Sequence, residues 1–401
     1  MKMFTVQWFV LFRKHLRNAI DFVKLQWLPA YTGERRRWQS LKRDGNSEND
    51  VRVFYGFDNL PVSVRQIGGG LVKCDDLASR FPNNPTQPNI LYLVSSALPR
   101  VGPGFAGLFL PDSPAFMTRF ARRAGVKVVV NHDGVAYAGW YGPGWRWANY
   151  PVRRLVHAAD YVFYQSRFSK MSSDRFLGER KGSSEILYNP VDTEVFAPGP
   201  ARTAKAPFTL LVTGSHYGFY RVESVVNALG IVYNKGIDCR LRIAGRLRWL
   251  PSEEDCRRQV LELAAIKGVS ALVEYSGPYT QDEAVSLYRS ADILVHAKYN
   301  DPCPRVVVEA MACGLPVVYS ATGGTPELVG DDAGVGIAAP LDWERDHPPA
   351  GPELAEAVIR IAEDYGAFAV AARQRAVAYF DLKPWIARHQ EVFKGLCSSK
   401  N

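Results

Sequence analysis

Cysteine is sparse in this sequence of 401 residues, and its spacing does not suit a metal. The six cysteines include no Cys-x-x-Cys pair and do not reach the density of a disulfide-rich domain; they are residues 74, 239, 256, 303, 313 and 397. This pattern argues against the common zinc frameworks and against a disulfide scaffold. Free thiols in a reducing compartment are therefore expected.

Long apolar runs are also missing near the start of the chain. The longest one there, WFVLF at residues 8–12, falls far below the roughly 20 residues that a membrane-spanning helix needs. Arg13 interrupts the same region and no small-x-small cleavage pattern follows, so a secretory signal is not expected.

Acidic residues are scarce in one part of the chain only. Residues 1–43 hold ten lysines and arginines against Asp21 and Glu34, and they carry most of the net charge of +9. A nucleic-acid-binding body would carry its own basic face, so this distribution indicates a basic arm and no nucleic-acid partner. On a helical wheel, residues 3–27 form an amphipathic helix. It would lie on an anionic membrane surface or dock on the first domain or a partner subunit.

The remaining composition is that of a folded protein with two domains. Hydrophobic residues make up 47% of the chain and aromatic residues 12%, which is enough to fill two cores at this length. Apolar strand patterns alternate with helical ones, as is typical of parallel α/β sheets.

Residues 296–330 show the clearest pattern in the chain. They read as the end of a buried strand, a turn (NDPCP), a helix (RVVVEAMACG), a strand (PVVYS) and a glycine turn (ATGGTPE). Asp301 and Glu309 lie eight residues apart, so both carboxylates can face the crevice where open α/β sheets bind ligands. Backbone amides at two helix starts, 304–306 and 323–325, would suit phosphate or sugar oxygens.

This stretch resembles the acidic-x7-acidic signature of the retaining GT-B glycosyltransferases grouped as family 4. In that family the acids are followed by an Ala-Met-Ala-Cys-Gly-x-Pro-Val segment and a Gly-Gly-x-Pro-Glu turn, which correspond here to EAMACGLPVV and GGTPELV. The alternative for Glu309 is an acid that only complements the dipole of its helix. The resemblance is firm over 185–396 and thinner over 51–184.

The resemblance implies an α/β protein of GT-B fold, with two Rossmann-like doubly wound domains facing each other across a cleft. The implied parts are a basic amphipathic arm and linker (1–50, the polar linker itself from residue 38), an N-terminal acceptor domain (51–196), an interdomain linker (197–207), a nucleotide-sugar donor domain (208–380) and a helix crossing back to the N-terminal domain (381–401).

The resemblance also implies roles for single residues. Asp301 would bind hydroxyls of the donor sugar and Glu309 those of the ribose. Asp301 is one methylene shorter than the usual glutamate, a loss of reach of roughly 1.5 Å. The donor-binding set would be Gly214, Arg221, Pro304, Arg305, Val306, Glu309, Gly323, Gly324 and Thr325.

The loop after the strand at 208–214 departs from the family pattern. Ser215 follows Gly214 where an arginine is usual, and Arg221 stands in the place of a lysine. Arginine clamps a phosphate at least as well as lysine. His216 or Arg246 would fill the charge gap at position 215.

Other positions are expected around the same cleft. Pro278 and Tyr279 would lie near the nucleotide base. Gly69 and Gly70 would approach the donor phosphates or the acceptor, although a flexible turn explains adjacent glycines equally well. His132 closes a strand and matches the histidine that the family places near the transferred sugar; the alternative is a capping or packing residue. The aromatic loop at 136–151 would stack on sugar rings or form a buried plug.

The implied reaction moves a sugar from a nucleotide-diphosphate sugar to a glycan or lipid-linked acceptor with retention of configuration, with His132, Asp301 and Glu309 as the catalytic set. In front-face return, the leaving phosphate oxygen takes the acceptor proton. No Asp-x-Asp stands in a metal-binding context, so neither a metal nor another cofactor is expected, and the donor is a co-substrate. Family habit favours a cytoplasmic enzyme, with the arm as its link to the inner face of the membrane, in envelope or exopolysaccharide synthesis.

Two other functions compete with this one. A nucleotide-sugar-binding protein without transferase activity would explain the departures at Ser215 and Asp301. A Rossmann oxidoreductase or epimerase would need a G-x-G-x-x-G with a following ribose-binding acid, which neither half convincingly has.

Overall fold

The computed structural model describes residues 28–41, 50–58, 69–98, 113–200 and 207–398, so the predicted arm helix at 3–27 lies outside the described residues. The strands are β1 (Val53–Phe54), β2 (Ile90–Val94), β3 (Lys127–His132), β4 (Tyr161–Tyr164), β5 (Ser184–Ile186), β6 (Phe208–Val212), β7 (Cys239–Ala244), β8 (Val273–Gly277), β9 (Ile293–His296), β10 (Val317–Ser320) and β11 (Gly334–Ile337). The α-helices are α1 (Leu28–Gln39), α2 (Gly69–Ala78), α3 (Pro114–Arg123), α4 (Ala138–Tyr141), α5 (Trp145–Ala158), α6 (Arg167–Leu177), α7 (Tyr220–Asn234), α8 (Glu253–Ile266), α9 (Gln281–Arg289), α10 (Arg305–Ala312), α11 (Thr325–Val329), α12 (Gly351–Glu363), α13 (Tyr365–Phe380) and α14 (Leu382–Ser398). No described helix has both the length and the apolar composition that crossing a bilayer requires.

The strands form two parallel sheets, one in each half of the chain. The first contains β1 to β5 in sequence order, and the second has the order β11-β10-β9-β6-β7-β8. In the second sheet the chain enters at β6, extends through β7 and β8, and returns to the other side of β6 at β9. The crevice beyond the carboxyl ends of β6 and β9 is therefore a topological switch point.

Helices cover both faces of each sheet, because successive side chains of a strand point to opposite sides. On the first sheet, Leu91 and Leu93 pack towards α3 and α5, whereas Ile90 and Tyr92 pack towards α2 and α14. On the second sheet, α7, α8 and α12 cover one face, and α9, α10 and α13 cover the other. The predicted pair of parallel α/β domains is confirmed.

Helix α14 returns from the second sheet to the first. Its residues Trp385 and Phe393 belong to the same apolar cluster as Tyr92 of β2. His389 Nδ1 donates to Trp385 O at 2.9 Å, which leaves Nε2 to accept from Tyr92 Oη at 3.1 Å. Burial lowers the pKa of His389 to about 3, so the ring is neutral and suits both contacts. These contacts fasten the end of the described chain to the first sheet.

Helix α1 lies inside the range predicted as arm and linker. Trp38, near the end of α1, is buried, with its ring 6.1 Å from that of Phe54 in β1. Tyr31 contacts Phe116 and Phe120 of α3 edge-on. The polar linker predicted from residue 38 therefore begins too early, because α1 uses its aromatic residues to join the core of the first domain.

The two domains contact each other through the segment after β11. Trp343 of this segment is buried against Tyr137 and Phe168 of the first domain, at ring distances of 5.0 and 5.3 Å. Gly139 N donates to Trp343 O at 2.8 Å. Glu327 of the second domain accepts two backbone amides at the start of α6, at 2.8 and 2.9 Å. These contacts hold the carboxyl edges of the two sheets on either side of one cleft.

Candidate active site

A cavity of about 500 Å³ lies in this cleft. Its wall combines residues that follow strands of the first sheet with residues that follow β9 of the second. The members used below are Ser96, Asp133, Tyr137, Trp140, Tyr141 and Lys298. Both domains therefore contribute to one cavity at the switch point of the second sheet.

Arg221 lies in the first turn of α7, beside this cavity. The loop that leads to it turns at Gly214, whose φ is 116°, and a Cβ at Gly245 would lie only 1.9 Å from Gly214 O. Arg221 Nη1 donates to Ser215 O at 3.0 Å, while its buried Nε has no hydrogen-bond partner among the described residues. Trp140 of the first domain lies 6.0 Å from the guanidinium carbon. A buried guanidinium with an unused donor at the cleft suits an anionic ligand.

Asp301 is held in an ionised state by two basic neighbours. Its Oδ2 accepts from Lys298 Nζ at 2.8 Å and from His296 Nε2 at 3.2 Å. Burial alone would raise the pKa of Asp301, but Lys298 and His296 outweigh it and place the pKa well below its usual range. Lys298 also lies 5.5 Å from the ring of Trp140, so this acid sits next to the wall contributed by the first domain.

Both carboxylate oxygens of the buried Glu309 already have donors. Oε1 accepts from Arg305 Nε and from Gln281 Nε2, each at 2.8 Å, and Oε2 accepts from Tyr288 Oη at 2.9 Å. An ionised carboxylate offers about four acceptor positions, so about one remains for a ligand. The predicted bonds to two ribose hydroxyls would therefore require one of these donors to move.

Arg305 connects Glu309 to the first domain. Its Nη1 donates to Asp76 Oδ2 of α2 at 2.7 Å, across 229 residues of sequence. Burial alone would lower the pKa of Arg305, but Asp76 and Glu309 outweigh it and raise the pKa. The charge of the Arg305 side chain is thus balanced by two carboxylates, and the contact of the backbone amides at 304–306 with a phosphate stays a prediction.

The glycine turn before α11 packs tightly on the loop after β9. A Cβ at Gly323 would lie 2.4 Å from Asp301 O, and one at Gly324 would lie 2.0 Å from Pro302 O. Gly324 N donates to Asp301 O at 2.8 Å, and Thr325 is fully buried. Of the three amides predicted to bind phosphate, that of Gly324 already has a protein acceptor, and Gly323 is the only residue of the three with partial exposure.

The other predicted donor contacts lie around the ends of β8 and β9. Pro304 directly precedes α10, and Val306 is in the first turn of that helix. Tyr279 Oη accepts from Thr213 Oγ1 at 2.7 Å, and burial, with the nearby charge of Glu309, raises the pKa of Tyr279 to about 12. Pro278 is exposed beside it. The structure thus brings Tyr279 close to the acid predicted to bind the ribose.

His216 does not fill the charge gap that Ser215 leaves. Its ring is buried and donates from Nε2 to Ala244 O at 3.0 Å, and burial lowers its pKa to about 4. Its backbone N donates to Arg246 O at 2.9 Å. His216 is therefore a neutral residue that ties two loops together, and the half-buried Arg246 stays a predicted phosphate contact.

His132 ends β3, but its ring does not reach the cavity. It is fully buried, with Tyr164 edge-on at 5.6 Å, and neither ring nitrogen has a partner within the described ranges. Burial lowers the pKa of His132 to about 4. Side chains alternate along a strand, so the next residue, Asp133, reaches the cavity instead. The packing alternative describes the position of His132 better than the active-site one.

Asp133 belongs to a polar cluster that the sequence analysis missed. It accepts from Lys73 Nζ, from Gln165 Nε2, and from Ser96 N at 2.8 Å. Burial alone would raise the pKa of Asp133, but Lys73 outweighs it and lowers the pKa. An ionised carboxylate therefore faces the cavity from the first domain.

Gly69 and Gly70 begin α2, the helix that carries Lys73. A Cβ at Gly70 would lie 2.6 Å from Ser96 Oγ, so glycine lets α2 approach the loop after β2. The close approach accounts for Gly70 without a ligand, and the phosphate or acceptor contact of the two glycines stays a prediction.

The buried-plug prediction for the aromatic loop holds for one part of it, and stacking on a sugar ring stays a prediction for another part. Tyr137 is buried against Trp343 as part of the interdomain packing. Trp140 and Tyr141 are 44% and 56% exposed and line the cavity. The first residue is thus a plug, and the other two offer ring faces to a ligand.

Comparison with known proteins bears on the half of the chain that carries Arg221, Asp301 and Glu309. The family described as glycosyl transferases group 1 matches residues 202–368. The matched segment, which is less than half of the chain, is similar to that family. The predicted resemblance is therefore confirmed for the group 1 domain.

Curated relatives agree with this result. The chain is 32% identical over 180 residues to a D-inositol 3-phosphate glycosyltransferase of Mycobacteroides abscessus, covering 42% of this chain and 38% of that protein. It is 31% identical over 189 residues to the enzyme of the same description from Mycolicibacterium smegmatis, covering 45% and 42%. The matches thus span about two fifths of the length of these relatives.

Solved structures extend the comparison to both domains. HepE from Anabaena, in complex with UDP and glucose, has a TM-score of 0.60 at 18% identity and covers 81% of each chain. WaaG, a glycosyltransferase involved in lipopolysaccharide biosynthesis, has a TM-score of 0.59 at 16% identity and covers 86% of this chain and 98% of that one. At these identities the likeness shows the fold, which is GT-B as predicted.

Within the group 1 domain, four polar partners of the predicted acids were missed from the sequence, and one of them is His296, which bonds to Asp301. Lys298 precedes Asp301 by three residues, a spacing that could have indicated the ion pair. Gln281 and Tyr288 reach Glu309 from a helix more than twenty residues earlier, and no local pattern marks them.

Proposed function

We propose that this protein is a retaining glycosyltransferase that moves a sugar from a nucleotide-diphosphate sugar to a glycan or lipid-linked acceptor. The observation that carries the proposal is the shared cavity, where Lys298 and the neighbouring Arg221 of the group 1 domain lie beside the exposed ring of Trp140. A cationic wall suits the departing diphosphate, and aromatic faces suit sugar rings.

Arg221 is the main diphosphate ligand in this proposal. Its buried Nε lacks a partner in the described structure, and its Nη1 is bonded only to a backbone carbonyl. The amides at the starts of α10 and α11 would add donors, of which that of Gly323 is the most accessible. UDP is the first donor nucleotide to test, because the structure of HepE, which has a similar fold, contains UDP.

Asp301 would accept hydrogen bonds from hydroxyls of the donor sugar, while Lys298 would lie near the diphosphate. The ion pair keeps the carboxylate charged, so Asp301 accepts hydrogen bonds and does not supply a proton. The leaving phosphate oxygen would then take the acceptor proton on the same face of the sugar, which gives retention. His132 would contribute to this reaction only indirectly, as the buried neighbour of Asp133, which faces the cavity.

The acceptor would bind against the first domain, between Asp133 and the rings of Trp140 and Tyr141. The two lysines next to this region, Lys73 and Lys298, are both paired with carboxylates. Uncharged hydroxyls therefore suit the described wall better than a phosphate does, and we favour a glycan over the phosphorylated acceptor named for the mycobacterial relatives. Synthesis of envelope or extracellular polysaccharide would use such an acceptor.

The basic arm would bring this enzyme to an anionic membrane surface. Its alternating apolar and cationic faces over residues 3–27 support this part of the proposal. Removing residues 1–27 should strongly weaken co-sedimentation with anionic vesicles at low salt. Equal sedimentation of the shortened chain would rule the arm out as the anchor.

The proposal is tested by a screen of UDP and GDP sugars. A true donor at about 100 times its Kd should stabilise the fold by about 2.7 kcal/mol, and an acceptor glycan should then release the nucleoside diphosphate. NMR of the product should show the anomeric configuration of the donor. Tight donor binding without turnover on lipid-linked and soluble glycans would instead favour the binding-protein alternative, and an inverted product would exclude retention.

A further inference from the structure

A second pocket lies on the outer surface of the first domain, between helices α3 and α5. It has a volume of about 420 Å³, and its wall includes Thr118, Arg119, Arg122, Arg123 and Arg154. The other faces of these two helices pack on the first sheet. The pocket is thus a surface feature of the two helices and shares no residue with the cavity in the cleft.

The pocket lies at the opposite edge of the sheet from the cleft. Helices α3 and α5 lead directly into the amino ends of β3 and β4, and Arg122, Arg123 and Arg154 lie in their later turns. The cleft, in contrast, is built on the carboxyl ends of the strands. A ligand held here would not take part in the sugar transfer itself.

Among the described residues, no acid forms an ion pair with the arginines of this pocket. Neither helix contains an aspartate or a glutamate. Arg154 Nη1 lies 3.5 Å from Tyr150 Oη, and within the described ranges none of Arg119, Arg122, Arg123 and Arg154 forms a salt bridge. Four guanidinium groups around one concavity repel one another, and a bound anion would offset that repulsion.

A second, independent feature points to a ligand. Thr118 is 3% exposed and lines the pocket, yet its Oγ1 has no hydrogen-bond partner in the described structure. Buried hydroxyls are normally bonded, so the unpaired hydroxyl of this wall residue can donate to a ligand once the side chain turns towards the pocket. Solvated arginines on the surface would not, by themselves, point to a bound ligand.

The cationic surface continues beyond this pocket. An adjoining concavity of about 410 Å³ shares Arg123 and adds Arg35 of α1, with Trp38 and Phe120 at its base. Asp160, which follows α5 by two residues, accepts the backbone amide of Val128 at 2.7 Å and faces Arg180. Arg180 itself is bonded to the carbonyls of Val156 and Ala159, so it adds to the positive field without closing the pocket.

We propose that the pocket between α3 and α5 binds a phosphate group. The planar guanidinium of arginine matches phosphate with two parallel hydrogen bonds, and the hydroxyl of Thr118 supplies a further donor. The phosphate would come either from the headgroup of an anionic lipid or from a soluble phosphate compound. In the first case the pocket adds a membrane contact on the folded domain, separate from the N-terminal arm.

The test compares two pairs of substitutions that remove the same charge. Arg122→Gln with Arg154→Gln alters the pocket, whereas Arg146→Gln with Arg153→Gln alters exposed arginines of α5 outside it. Binding of inorganic phosphate is measured by calorimetry at constant ionic strength. Binding to phosphatidylcholine vesicles with and without phosphatidylglycerol is measured by co-sedimentation of the full chain.

The pocket pair should weaken binding about tenfold or more in at least one assay, and the control pair should not. Loss in the vesicle assay alone identifies a lipid headgroup, and loss with inorganic phosphate alone identifies a soluble ligand. Equal behaviour of the two pairs in both assays would overturn the proposal, because the effect would then follow net charge. UDP binding should be unchanged in both pairs, which separates this result from the fate of the proposed transferase.

Thr118→Val provides the second variant. Because the hydroxyl has no partner in the empty protein, valine should leave the unfolding temperature equal or higher. It should nevertheless lower the affinity for the phosphate probe severalfold. An unchanged affinity would remove Thr118 from the site, and a lower unfolding temperature would show that its hydroxyl serves the fold.

Discussion

Glu309→Ala should lower the free energy of unfolding by about 3 to 5 kcal/mol and also weaken donor binding. The carboxylate is buried and accepts from Arg305, Gln281 and Tyr288, so its removal leaves Arg305 with Asp76 as its one remaining acid partner in the described structure and leaves two buried polar groups without their acceptor. Breaking a buried ion pair from one side costs about this much. Loss of a ribose contact would add about 1 to 3 kcal/mol to the free energy of binding.

The measurement combines denaturant unfolding with titration of UDP under conditions where the variant is still folded. Glu356→Ala, which removes an exposed acid from α12 of the same domain, is the matched control and should change stability by less than about 0.5 kcal/mol. In an Arg305→Met background the cost of Glu309→Ala should be smaller, because the two residues are coupled. Unaltered stability would contradict the buried network, and unaltered UDP affinity in folded protein would remove Glu309 from the donor site.

Arg221→Met should reduce the affinity for UDP roughly 30- to 150-fold, while the affinity for uridine changes little. The estimate corresponds to about 2 to 3 kcal/mol for hydrogen bonds to a charged group. Methionine keeps much of the apolar length of the side chain next to Trp140 and Tyr220, so the variant removes mainly the charge. Competition binding with UDP, UMP and uridine measures how the loss depends on the phosphates.

Arg246→Gln is the control for this experiment, because Arg246 lies on the neighbouring loop and was predicted as a second phosphate contact. A loss of UDP affinity in Arg221→Met but not in Arg246→Gln would assign the main diphosphate contact to Arg221. Similar losses for the two variants would divide the role between them. Equal losses for UDP and uridine in Arg221→Met would show that Arg221 supports the loop and does not bind the diphosphate.

Local patterns in the sequence were sufficient for the second domain. The stretch at 296–330 contains a strand, a turn, a helix, a strand and a further helix start, and the structure has β9, α10, β10 and α11 in that order. Each of these elements depends on side chains close together in sequence and on glycines at close approaches such as Gly323. The first domain was harder, because α1 and its buried Trp38 look like a polar linker until the sheet beneath them is known.

The candidate site was predicted where one short segment carries several of its members, as with Asp301 and Glu309, which are eight residues apart. The predicted site was incomplete where the two residues of a contact come from different domains. Sequence spacing carries no information on the bond between Arg305 and Asp76, because that distance depends on how two sheets pack. The sequence placed His132 at the cavity, whereas the structure places Asp133 there. The cause is similar, since a strand can present either of two neighbouring residues to the cleft.

The sequence by itself determined the parallel α/β class, a crevice beyond the carboxyl ends of the strands of the second domain and the identities of its acids, because these follow from local periodicity and short motifs. Only the tertiary structure decided which charges are available to a ligand. Arg305 is neutralised by acids of both domains, His216 is uncharged through burial, and Arg221 retains an unused donor. Charge and burial are set by neighbours in space, and those neighbours are assembled only when the two domains and the returning helix α14 come together.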